Sequence, residues 1–413
     1  MRAQFRLLLL PTLLIISLVV LAGCANDIGC GTGVGSTGGS GSGSSAGVSG
    51  NSNCGSGGGN GGGGGNGGGT SITSAFLYYL GSSSDIQAAS LNSSGAFSNL
   101  NPYTPPVLAS SSVNSMAVAN GQFLYIPMNG FSNVQGFSIN HANGGLTAIS
   151  GSPFPAQAAD DILAVDPSGR FLFVGGEFAS SISVYQINAT TGALTPAPGS
   201  PFQSFNLVFA NSLSVDGTGK FLYVGQTFST NPVVAFSIDQ STGALTEITG
   251  SPFPLGVSVV QADPSGKFLL GLADNSGTSG DHHVYVYSIN PSTGAPTSVA
   301  GSPFSTVSVP FALTIDPSGS FVYVSVADSN VLVTSLEGYQ LNTTSGFLTA
   351  IVGSPFTNLP IVAECQFDQS DSHAFCMNAN GFSVLNLDPS TGNLSHTIPD
   401  LTTTNNFPFA VTN

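Results

Sequence analysis

Asp166-Pro167-Ser168-Gly169-Arg170-Phe171-Leu172-Phe173-Val174 decides the fold, because the chain repeats it. Asp216-Gly217-Thr218-Gly219-Lys220-Phe221-Leu222-Tyr223-Val224 is a second copy, and Asp263-Pro264-Ser265-Gly266-Lys267-Phe268 and Asp316-Pro317-Ser318-Gly319-Ser320-Phe321 use the same words. Each copy is a turn followed by the head of a strand. Asp and Ser bond nearby backbone, Pro presets its own φ, and Gly accepts a positive φ. Recurrence at a period of tens of residues is the signature of a propeller or solenoid.

Working outward, each turn leads to an alternating run such as Ile182-Ser183-Val184-Tyr185-Gln186-Ile187 or Val284-Tyr285-Val286-Tyr287-Ser288-Ile289. Period 2 with β-branched and aromatic residues marks strands. A polar turn comes next, with its glycine at Gly192, Gly243, Gly294, Gly346 or Gly392, and then Gly-Ser-Pro-Phe beginning at Gly151, Gly199, Gly250, Gly301 or Gly353. The last motif reads as structural: Pro ends an outer strand, and Phe supplies area between neighbours. Four short strands per unit with no helical period between them make a propeller blade. Second-strand heads fall at Phe76, Phe123, Phe171, Phe221, Phe268, Phe321 and the divergent His373, which are 47 to 53 residues apart by subtraction. The reading is all-β: a seven-bladed β-propeller over residues 75–413. The first unit lacks an inner strand of its own, and Pro408-Phe409-Ala410-Val411-Thr412-Asn413 resembles the inner strand Pro310-Phe311-Ala312-Leu313-Thr314-Ile315. The C-terminal strand is therefore expected to close the ring and remove an open sheet edge.

Before the repeats, Arg2 and Arg6 precede an apolar run from Leu7 to Leu21 and then Ala22-Gly23-Cys24. The run is shorter than the roughly 20 residues of a spanning helix, and small residues precede the expected cut, so residues 1–23 read as a signal peptide. Leu21-Ala22-Gly23-Cys24 resembles the bacterial lipobox, which implies an acylated Cys24 and an exported lipoprotein anchored to a bilayer of the cell envelope. Residues 24–74, rich in Gly, Ser and Asn, read as a flexible tether with a reach on the order of 35–40 Å.

Net charge is -15, and charged residues are only 6% of the chain. Once a signal peptide is removed, the cations are Arg170, Lys220 and Lys267. Three cations neutralise few phosphates, so no nucleic-acid partner is expected. A monomer is expected. No Cys/His metal spacing occurs. Cys365 lies three residues before Asp368 and Cys376 eight after it; pairing of Asp368 with His373 across the turn would set the two cysteines face to face, which predicts a cross-strand disulfide.

The blade wording, Asp-Pro-Ser-Gly-Lys-Phe from Asp263 together with Val-Tyr-Val-Tyr-Ser-Ile-Asn from Val284, resembles the lactonase family of seven-bladed propellers, which includes 6-phosphogluconolactonases. The resemblance covers roughly residues 75 to 413 and implies the propeller architecture. It also implies His, Glu and Arg at the mouth where the inner strands begin, since a phosphorylated lactone needs cations for its phosphate and a base for water. The three cations of this chain instead come just after the turns on the opposite face. Where the family places Pro-Arg-His or Pro-His, this chain has Asp160-Asp161, Pro310-Phe311 and Pro408-Phe409, so no catalytic residue is carried over.

The position five before the turn Asp holds Asn114, Asp161, Asn211, Ser258, Phe311, Ala363 and Phe409, with Asp160 and Glu364 close by. Loops between second and third strands open on the same face and add Glu177 and the stretch from Asp274 through Asp281 to His282 and His283. These residues describe either an acidic, amide-rich funnel for a cation, a neutral sugar or a peptide, or a solvated rim around a water-filled channel. No cofactor is expected; Ca2+ is conceivable from oxygen ligands, without an ordered ligand loop. His282 and His283 are adjacent on a strand and point to opposite faces, so one site cannot readily use both. The leading expectation is a module that binds carbohydrate, peptide or protein. A hydrolase of neutral sugar lactones with Glu177 or His283 as base is the enzymatic alternative, and a structural surface component the third.

Overall fold

The computed structural model describes residues 76–81, 85–91, 97–100, 113–128, 131–157, 162–176, 180–227, 233–273, 280–327, 334–360, 362–368, 372–403 and 408–412. Cys24, the tether, Asp160, Asp161 and Glu177 lie outside them. Seven antiparallel sheets are present, each with strands in the order inner, second, third, outer. In blade three these are Ile162–Val165, Phe171–Gly175, Ser181–Ile187 and an outer strand in two pieces, Leu194–Pro196 and Phe202–Gln203. The ring closes as expected: Phe409–Val411 pairs antiparallel with Phe76–Leu80, and Thr412 exchanges bonds with Phe76 through both backbone and hydroxyl.

The repeated Asp sits under the inner-to-second turns of blades three to seven. Asp216, 1% exposed, accepts the Lys220 and Phe221 N–H groups at 2.7 Å through one oxygen and the Thr218 N–H and hydroxyl through the other. Asp166, Asp263, Asp316 and Asp368 are buried and accept from their own turns in the same way. A buried carboxylate is tolerable because oriented donors replace its hydration.

Two contacts join blade to blade. The Phe at each second-strand head packs on the turn glycine of the next blade: a Cβ on Gly243 would lie 2.6 Å from Phe171, and one on Gly346 2.7 Å from Phe268. These glycines also have φ near +75°, so the position requires glycine on both counts. The second-strand Tyr then donates to that turn, with Tyr78, Tyr125, Tyr223 and Tyr323 bonding the carbonyls of Gly144, Gly192, Gly294 and Gly392 at 2.6–2.8 Å.

Gly-Ser-Pro-Phe interrupts the outer strand rather than ending it. In five blades the Ser-Pro peptide is cis, the chain bulges out, and the Phe after it pairs again with the third strand. The Ser hydroxyl accepts the third-strand N–H left without a ladder partner, as Ser200 does for Val184 at 2.8 Å and Ser302 for Val286 at 2.9 Å. The Phe rings do supply area between blades, Phe154 packing among Phe123, Leu172 and Val174.

Blade seven departs from this scheme. Cys365 and Cys376 are cross-strand partners with Cα atoms 4.0 Å apart, and they form the expected disulfide. His373 replaces the repeated Phe and turns its Nδ1 to Asp368, 3.1 Å away.

Candidate functional site

The inner strands converge on a central cavity of about 770 Å³. Residues one and three before the turn Asp, such as Val215 and Leu213, pack between blades. Those two and four before it are turned to the neighbouring inner strand and the cavity. Ser212 accepts the Val260 N–H and donates to the Ser258 carbonyl; Ser214 accepts from Ala262, Thr314 donates to Cys365, and Gln366 donates to Phe409. Side-chain hydroxyls and amides therefore do between blades what backbone ladders do within them.

Pairing shifts by one residue at Ala210/Ser212, Pro310/Ala312 and Val362/Glu364. The extra residues are Asn211, Phe311 and Ala363, three of those expected at the mouth from register. A bulge breaks the alternation and re-aims the side chains beyond it. Asn114, Asn211 and Glu364 line the cavity together, as does Phe409. A register count of five before the Asp passes over Gln261, Thr314, Gln366, Ser212 and Ser214, which line it as well. The same repeat register, applied two and four before the Asp, contains them all.

Among the described lining residues Glu364 is the one carboxylate, and none is Lys or Arg. Neither Glu364 nor Gln261 has a side-chain partner among the described residues, so each offers hydrogen-bonding capacity to whatever enters. The cations lie at the inner-to-second turns, where Arg170 bonds Gln240 and Lys267 bonds the Thr343 carbonyl.

The remaining candidates gather elsewhere, at the head of the third strand of blade five, His283–Ile289. His283 Nδ1 lies 2.5 Å from Asp281 Oδ1, and the Tyr285 hydroxyl donates to Asp281 Oδ2 at 2.6 Å. Burial first, then the bond to Asp281 and its charge, push the Tyr285 phenol up to about 12. None of the three lines the central cavity. His282, the adjacent candidate, is exposed, and its carbonyl accepts the Thr306 N–H. Another acid, this one buried, lies between blades five and six: Glu337, 3% exposed, accepts the Val307 N–H at 2.8 Å and the Tyr339 hydroxyl. Burial pushes its carboxyl up, and those two bonds oppose the shift. No group of three or more metal-ligating side chains occurs among the described residues.

The family model described as lactonase, 7-bladed β-propeller matches residues 74–210, which span the first three blades. No curated protein matches the chain. Among solved structures, a candidate 6-phosphogluconolactonase of Bacteroides fragilis is 17% identical, with 83% of this chain and 98% of that one covered at a TM-score of 0.61. One from Bacteroides uniformis gives 17%, 82%, 99% and 0.63. A periplasmic gluconolactonase of Pseudomonas aeruginosa gives 16%, 82%, 99% and 0.59. The chain is a seven-bladed β-propeller whose residues 74–210 match the lactonase family model and whose fold is similar to that of these solved structures.

Proposed function

We propose that this chain is a binding module tethered at the bacterial cell envelope, and that its central cavity takes a neutral, hydroxyl-rich ligand of the carbohydrate class. The observation that carries this is the lining: amides and hydroxyls from successive blades, one unpartnered carboxylate, and no cation among the described residues. A cavity of about 770 Å³ falls within the roughly 300–1,000 Å³ of small-molecule sites. Gln261 and Glu364 would read hydroxyl groups, while the stitched Ser and Thr residues keep the wall rigid. A phosphorylated sugar would meet a carboxylate and no countercharge. The lipobox reading of Cys24 places the module on a bilayer through its acyl chains, and the gluconolactonase neighbour described as periplasmic agrees with an exported setting.

Calorimetric titration of the purified protein with neutral mono- and disaccharides and with their phosphorylated counterparts tests this. Saturable binding of a neutral sugar, weakened about tenfold or more in Gln261→Ala and Glu364→Gln, is the expected result. Preference for the phosphorylated member, or indifference to both substitutions, would overturn it. Neutral sugar lactones belong in the same panel, because acid release that is lost in Glu364→Gln would replace binding by hydrolysis at this cavity.

A further inference from the structure

We propose that Ser305, His283 and Asp281 form a serine-hydrolase site for small carboxylic esters on the rim of blade five, separate from the central cavity. Strand register brings the first two together. Phe304–Ser305, the resumed outer strand after the Ser302-Pro303 bulge, pairs with the third strand so that His283 stands opposite Ser305 and Val284 opposite Phe304. The Thr306 N–H, bonded to the His282 carbonyl at 2.8 Å, pins that register beside the pair. Directly opposed residues of an antiparallel pair put both side chains on one face, with Cβ atoms about 4.5–5.5 Å apart.

Packing fixes which face that is. Phe304 and Val284 lie in the cluster shared with blade six, among Val322, Val324 and Tyr339. His283 and Ser305 therefore face blade four, on the side where Tyr287 bonds the Leu255 carbonyl at 2.5 Å. Both are open to solvent: the His283 side chain is 38% exposed and Ser305 is exposed.

Asp281 completes the arrangement. An ionised carboxylate only accepts, so the proton of the 2.5 Å contact sits on His283 Nδ1, and in the neutral imidazole Nε2 keeps its lone pair. The Tyr285 hydroxyl on the other carboxylate oxygen holds Asp281 in place. The imidazole is thus fixed in the tautomer a general base needs, with a hydroxyl across the strand and a carboxylate behind, the constellation that recurs on unrelated folds. In the reaction the Ser305 Oγ–H proton passes to Nε2 as Oγ bonds the ester carbonyl carbon. Collapse breaks the ester C–O bond, and the imidazolium returns the proton to the departing alcohol. Water, deprotonated by the same nitrogen, then releases the acid and restores Ser305. Lactones, as cyclic esters, fall within this class. The rim site would act whatever the central cavity binds.

The test treats the purified protein with a fluorophosphonate probe, maps the adduct by peptide mass spectrometry, and monitors p-nitrophenyl acetate hydrolysis in parallel. The expected adduct is on Ser305. Ser305→Ala should lose both the label and at least 100-fold in kcat/KM while keeping its melting temperature. Asp281 is a positioning residue, so Asp281→Asn should lower kcat with KM held, and Asp281→Glu should recover part of it. An adduct elsewhere, no adduct at all, or hydrolysis that persists in a folded Ser305→Ala would overturn the proposal.

Discussion

Blades two to six and the closure at blades seven and one are the same architecture held by different means. In the former the binding is distributed: a serine across the bulge of each blade, a carboxylate under the turn in blades three to six, and a phenol to the next blade from Tyr125, Tyr223 and Tyr323. At the closure the repeated devices thin out. Blade seven has no Gly-Ser-Pro-Phe and a His for the strand-head Phe. A covalent bond and an aromatic group take over there: Cys365–Cys376, and Phe382 set against Tyr79 and Phe409 with ring centroids 5.3 and 5.2 Å apart. A closed ring must have one seam where chemistry not repeated around the circle completes it, and here the two ends of the domain supply it.

Removing residues 408–413 strikes that seam hardest. The truncated chain exposes the edge of Phe76–Leu80 and leaves Phe382 without Phe409, so it should lose its folded form and aggregate, as size-exclusion chromatography would show. Asp216→Ala strikes the distributed part. It leaves the buried Phe221 N–H and the part-buried Lys220 N–H unmet, at about 1–3 kcal/mol each, and should cost on the order of 3 kcal/mol in denaturant unfolding. Replacing both Cys365 and Cys376 by Ser opens an 11-residue separation, for which loop entropy gives about 3 kcal/mol. Hydrogen exchange should then find blade seven opening before blades three to five. Tyr223→Phe removes one interblade bond and should cost about 1 kcal/mol.

The smallest effect concerns Glu337. Its carboxyl is raised in the folded state, so its contribution is complete below the ordinary carboxylate range and is lost as pH rises through the raised value. Glu337→Gln should flatten that decline, and thermal unfolding measured upward from pH 4 would show whether it does.

The repeats made the ring, the blade number and the closing strand legible, because a propeller encodes its contacts several times over. The disulfide was legible for the same reason: register carried across blades places Cys365 opposite Cys376. Gly-Ser-Pro-Phe was legible as a word but not as an act. Sequence does not state a peptide's isomer, and a serine standing in for a ladder carbonyl looks like any serine in a turn. The cavity was legible only in part. Bulges at Asn211, Phe311 and Ala363 shift the alternation by one, so a register count chose one row of residues and missed Gln261 and Thr314 in another. Ser305 was hidden because it sits 22 residues from His283 and meets it only through the resumed outer strand.

The turn carboxylates have a consequence for the medium in which the protein works. Asp216 and Asp263 are neutralised by N–H groups of their own turns, and among the described residues the one ion pair without histidine, Arg170 with Asp166, is 4.0 Å apart. Raising salt from about 0.01 to 1 M shrinks the screening length from about 30 to 3 Å, which matters to charges that attract across solvent. This ring has almost none to lose, so brine and fresh water should find it equally well closed.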